Sequence, residues 1–188
     1  SFDGLLDGGK FDGRAEFDGG FENWRSEPSR VYASLDAPSL KGLFSSLGRE
    51  ISGEAELPQP VQASLIASGT LQSGSMAEIE VGSQDFGLRF QGHSHWAAKS
   101  NLALEGTLEV KASRSRDGLA IAGLTVPSGF DGGAMQGTAG LERDDKGSWI
   151  LTAQNFSLGT SKLSGRVTMT SAGGTTAIDG DLSADHVS

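Results

Sequence analysis

The chain has 188 residues, of which 36% are apolar, 7% aromatic and 28 glycine, with no cysteine and a formal net charge of −9. That length suits one β-rich domain, or a piece of a longer chain, with few large side chains per strand to bury. The acidic balance argues against nucleic acid, and the absence of cysteine removes disulfides, thiolate metal sites and cysteine nucleophiles.

In chain order, period-two alternation recurs almost everywhere. FDGRAEFDG is followed by RVYASLDA, where Val31, Ala33, Leu35 and Ala37 share a face. APSLKGLFSSLGRE breaks the pattern. Leu40, Leu43, Phe44 and Leu47 follow helical spacing, with Ser39 to cap the start and Gly48 the end, so a short helix is expected near 39–48, plugging one end of a sheet. PVQASLIASG, MAEIEVG, FGLRFQGH and NLALEGTLEVKA resume the strand pattern. GLAIAGLTV, MQGTAGLERD, SWILTAQNFSLG, KLSGRVTMT and TAIDGDLSA complete it, about ten to twelve strands in all, separated by turn signals such as DDKG and SAGG. A weak repeat relates GGKFDGRAEFDGG, GGAMQGTAGLERDDKG and TSKLSGRVTMTSAGG, and the first and third lead into a second alternating strand, so the unit is a hairpin. The expected fold is all-β and mainly antiparallel, with repeated hairpins in a curved or groove-like sheet or a sandwich, as one domain over residues 1–188.

Reactive motifs are sparse. His93 and His95 fall two apart on one strand face, half of a metal site at most, and His186 is remote, so a surface position is the expectation and no metal is assigned. Asp-Gly pairs at Asp3, Asp7, Asp12, Asp18, Asp117, Asp131 and Asp179 read as hairpin turns, because neither calcium-loop motif is present. Acids are scattered over polar faces, and neither a Ser-x-x-Lys nor a G-x-S-x-G sequence occurs, so no catalytic residue and no cofactor is expected. Trp24, Trp96 and Trp149 are expected in core or rim packing. The apolar stretches are far short of the about 20 residues needed for a helix to span a bilayer. The start, lacking methionine and signal-peptide features, reads as a processed chain or a fragment.

FSLGTSKLSGRVTMTSAGGTTAIDGDLSADHVS and YASLDAPSLKGLFSSLG resemble the AsmA family of bacterial envelope proteins, which includes TamB-type bridge proteins. In that family a Gly-containing strand, a turn and a second strand lead into a short leucine-rich helix. The resemblance implies a periplasmic segment of an inner-membrane-anchored protein whose long, curved sheet has an apolar concave face that shields lipid acyl chains on the way to the outer membrane, with lipid or envelope proteins as partners. The residues expected to line the apolar face, as lipid-facing or core positions, are Leu102, Leu104, Leu108, Val110, Leu163, Val167, Met169, Ile178 and Leu182. The alternative is a structural or adhesive sandwich or solenoid module at the cell surface that binds glycans. A third, enzymatic reading requires two acids about 5 to 10 Å apart in a cleft.

Overall fold

The computed structural model describes residues 1–6, 9–23, 26–39, 60–70, 73–96, 102–121, 132–144, 147–172 and 175–185. The strands are β1 (Phe2–Leu6), β2 (Gly9–Phe17), β3 (Ser29–Ala37), β4 (Val61–Thr70), β5 (Gly74–Gly82), β6 (Phe86–Trp96), β7 (Leu102–Ala112), β8 (Met135–Arg143), β9 (Trp149–Leu158), β10 (Ser161–Ala172) and β11 (Thr175–Ala184). All eleven belong to one antiparallel sheet whose spatial order is the chain order. The all-β, mainly antiparallel expectation is borne out, and of the two forms it allowed the described strands make the single sheet and not the sandwich. Chain-order pairing follows from the hairpin unit, because antiparallel neighbours can be joined by very short turns. Between β9 and β10 only Gly159 and Thr160 intervene, and Gly159 takes φ 60°, a left-handed conformation that glycine adopts without a Cβ clash.

Antiparallel partners stand directly opposite one another, so a row of side chains can be followed across the whole sheet. One row runs Gly4, Phe11, Leu35, Ala63, Val81, Leu88, Val110, Gly137, Phe156, Leu163 and Ala184. The next, two residues along each strand, runs Phe2, Gly13, Ala33, Leu65, Ile79, Phe90, Leu108, Ala139, Ala153, Gly165 and Leu182. Neither contains a polar side chain. The opposite face carries rows such as Asp12, Ser34, Ser64, Glu80, Arg89, Glu109 and Thr138. One irregularity preserves this sorting. Phe156 lies three residues beyond Ala153 in sequence yet keeps to the apolar side, because Gln154 is left out of the register with both β8 and β10 as a bulge.

Helix α1 (Ser115–Ile121) follows β7 and closes one end of the apolar face. The Ser113 amide donates to the Asp85 carbonyl at 2.8 Å and the Ser115 amide to the Gly133 carbonyl at 2.7 Å, which ties the helix start to both neighbouring connections. Arg114 Nε donates to the buried Asp117 carboxylate at 2.8 Å, an i,i+3 pair across the first turn. Gly118 sits so close to the Met135 methyl that no larger residue fits there without moving it. Below lies a buried cluster of Phe86, Ala112 and Met135, packed by Val81, Leu88, Val110, Phe156 and Leu158.

Two sequence expectations change here, and a third, the helix near 39–48, is not tested. GLAIAGLTV, read as a strand, is helical through Ile121, because a short run of small apolar residues satisfies either period and the Arg114–Asp117 pair favours the helix. The helix expected near 39–48 lies outside the described residues beyond Ser39, and α1 is the helix that plugs the described sheet. Among the described Asp-Gly pairs, only Asp18–Gly19 forms a turn. Asp3 and Asp12 are mid-strand and directly opposite each other, Asp179 lies within β11 and Asp117 is in α1, whereas Asp7 and Asp131 lie outside the described residues. Gly13 occupies a strand interior because the Phe2 ring lies over it, and Gly180 because its Cα side faces the Arg166 carbonyl. β1, with its aspartate-glycine centre, was not among the expected strands.

Candidate functional site: a single apolar face

The apolar face gathers the residues expected to line it. Leu104 stands between Ser94 and Arg143, Leu108 between Phe90 and Ala139, and Val110 between Leu88 and Gly137. Leu163 stands between Phe156 and Ala184, Val167 between Leu151 and Gly180, and Met169 between Trp149 and Ile178. These six are half-buried. Ile178 and Leu182, on the edge strand β11, are 55% and 61% exposed. Leu102 pairs with Trp96 through the backbone, and both of these side chains lie outside the described set, as does Trp24.

Four buried members of this face were not anticipated, Phe86, Phe90, Met135 and Ala139, and they lie beside the equally buried Val61 and Ala112. The signal was present as phenylalanine two residues from glycine on one strand face. A Cβ built on Gly92 would lie 2.6 Å from Phe90 Cζ, and one on Gly106 would lie 2.8 Å from Phe90 Cε2. Phe156 covers Gly137 in the same way, with Cδ2 at 2.8 Å. Aromatic rings thus lie against glycine main chain, supplying the apolar cover the glycines lack. Gly106→Ala is accordingly expected to cost about 1–3 kcal/mol through overpacking, whereas Gly87→Ala on the other face, where an added Cβ meets nothing within 4 Å, is expected to be neutral or slightly stabilising. Chemical denaturation of the two variants decides this, and equal effects would contradict the close packing at Gly106, where an added Cβ would meet the Gln91 carbonyl and Gly92 Cα as well as the Phe90 ring.

Polarity changes along the strands. A row toward the other end of the strands runs Phe17, Ser29, Gly69, Ser75, Ser94, Leu104, Arg143, Trp149, Met169 and Ile178, with the Trp96–Leu102 and Ser171–Thr176 pairs beyond it. Ser75 Oγ and Ser94 Oγ are hydrogen-bonded at 2.8 Å, and the half-buried Arg143 guanidinium lies over the Trp149 ring, 5.3 Å from its centroid.

The opposite face is charged and concave at the α1 end of the strands. A groove of about 1190 Å³ crosses it from β3 to β9, bordered by Asp36, Gln62, Glu80, Arg89, Gln136 and Asn155 among others. Arg89 pairs in register with Glu80 and Glu109, donates from Nε to Glu78 at 2.9 Å, and lies 3.3 Å from Glu80. The bond to Glu78 and its charge raise the Arg89 pKa above its ordinary value. His93 and His95 are exposed on this face. Among the described residues no group of three or more histidines and carboxylates is placed to hold a metal ion, and no helix is long and apolar enough to cross a membrane.

No family model, curated protein or solved structure matches the chain.

Proposed function

We propose that this chain is a periplasmic, non-enzymatic segment of an AsmA-like envelope protein, whose apolar sheet face carries phospholipid acyl chains in outer-membrane assembly. The observation that carries the reading is the continuity of that face: two rows without a polar side chain cross all eleven strands, and those of the side chains expected to meet lipid that are described are only half-buried or exposed. Strand geometry suits the cargo. From the Met135 row at α1 to the Arg143 row is eight steps along β8, about 26 Å at about 3.3 Å per residue, longer than the roughly 15 Å of one leaflet of a bilayer core. Exchange between bilayer and sheet requires little net free energy, since each methylene is worth about 0.8 kcal/mol in either place. The serines and Arg143 of the far row suit a headgroup at that end, with the tails toward α1.

Trp149 lies on the apolar face and provides the test. With the other two tryptophans replaced by phenylalanine, vesicles of phosphatidylcholine brominated in the acyl chains are expected to quench its emission. Ile178→Asp and Leu182→Asp, at exposed positions that leave the fold intact, are expected to lower the quenching at least severalfold. Quenching that is absent, or unchanged in both variants while the far-UV spectrum is unaltered, would defeat the reading.

A further inference from the structure

The polar face carries a feature that acyl-chain binding on the other side does not use. Away from the two edge strands, the large apolar side chains that stand exposed among the described residues are Tyr32, Ile66 and Met76, at 40%, 45% and 40%. All three lie on the polar face and touch in register: Tyr32 is directly opposite Ile66, and Met76 is diagonal to Ile66 through the Ile66–Glu78 pair. Three such side chains scattered over a polar sheet would need no explanation; contiguous, they form a patch. The patch borders the groove, because Tyr32 precedes Ser34 by two residues and Ile66 follows Ser64 by two, and both serines line the groove.

The groove itself is a polar surface. Val81, Leu88 and Val110 border it through main chain, since their side chains pack in the cluster on the other face. Its floor is thinnest where Gly82 and Gly87 pair directly, and a Cβ on Gly87 would project into open space. Six inter-strand steps separate β3 from β9, about 29 Å at about 4.8 Å each, so the groove suits an extended ligand. The lining charges nearly cancel: Asp36, Glu80 and Glu109 against Arg89 and Lys111, with Arg89 already bonded to its glutamate neighbours. A polyanion would meet those carboxylates on a chain of net charge −9. What remains for recognition is Gln62, Gln136, Asn155 and Thr138, groups that both donate and accept hydrogen bonds.

We propose that this groove binds a neutral oligosaccharide, with Tyr32 as the stacking platform at its rim. A sugar ring has an apolar C–H face and a hydroxyl-bearing edge, and the hydroxyls donate and accept as the amides do; an aromatic ring beside a row of amides matches both. Lying on the opposite face, the site stands or falls separately from lipid binding.

The test is an amide-resolved NMR titration of the chain with cellohexaose, maltohexaose and fully N-acetylated chitohexaose in parallel, all three uncharged. At least one is expected to shift the resonances of β3–β9 groove residues saturably. Tyr32→Ala and Asn155→Ala are each expected to weaken that binding by about tenfold, the scale of one aromatic contact or hydrogen-bond pair, while quenching of Trp149 by brominated lipid is unchanged. Both side chains are exposed, so both variants are expected to fold. The proposal is overturned if none of the three sugars shifts the groove, if binding is indifferent to both substitutions, or if the patch is occupied by a second copy, seen as a dimer that Tyr32→Ala dissociates.

Discussion

Phe90→Ala is expected to remove about 3–5 kcal/mol of folding stability, the usual range for a buried phenylalanine. Phe90 is 3% exposed and stands in register between Ile79 and Leu108. Its ring does two jobs: it fills the centre of the apolar face, and it shields the main chain of the paired glycines Gly92 and Gly106. Alanine leaves a cavity and bares backbone that no neighbouring side chain replaces. Against a typical total of about 5–15 kcal/mol, the loss is large enough to lower the urea midpoint by about 1–2 M. Ile66→Ala, at a position 45% exposed on the polar face, is the matched control and is expected to cost under about 1 kcal/mol. A Phe90→Ala midpoint as close to wild type as the control's would show that the ring contributes little.

Deleting one residue from a strand gives a larger effect still where the pairing is regular, and a small one where the residue is bulged. Thr107 and Gln154 are both exposed and polar. β7 pairs with β6 and β8 without a break, so removing Thr107 inverts the alternation beyond it: Leu108, Val110 and Ala112 turn to the polar face while Glu109 and Lys111 turn inward. Exposing the leucine and valine costs about 1.5–3 kcal/mol each, and the inward charges add a desolvation penalty. The sum rivals the whole stability, so the variant is expected to be unfolded or insoluble. Gln154 is the bulged residue. Without it Phe156 follows Ala153 at the ordinary two-residue step and stays on the apolar face. That deletion is expected to retain cooperative unfolding and a native far-UV spectrum, with a loss no greater than about 2 kcal/mol from the altered local twist. If the two deletions behave alike, the register described for β9 is wrong.

The strands were legible because alternation is a local property: Leu104, Leu108 and Val110 share a face by spacing alone, whatever pairs with them. Ten of the eleven observed strands correspond to runs with that pattern, and β1 was hidden because its Asp-Gly centre carries the chemistry of a turn. The same chemistry misled at Asp12 and Asp179, where the glycine is required by a ring or a carbonyl from the neighbouring strand. The helical start of GLAIAGLTV escaped for a different reason. Four small apolar residues fit both periods, and what selects the helix is the Arg114–Asp117 pair and the fit of Gly118 on Met135.

The candidate site divides along the same line. The sequence by itself determined that each strand would have an oily side and a wet side, since side-chain direction alternates with every residue. Only the tertiary structure decided that the oily sides join into unbroken rows across one sheet, that Phe90 is sealed while Ile178 stands open at the edge, and that Tyr32, Ile66 and Met76 meet beside a groove. Burial and adjacency depend on neighbours brought in by strand pairing from tens of residues away, and no local pattern encodes that register.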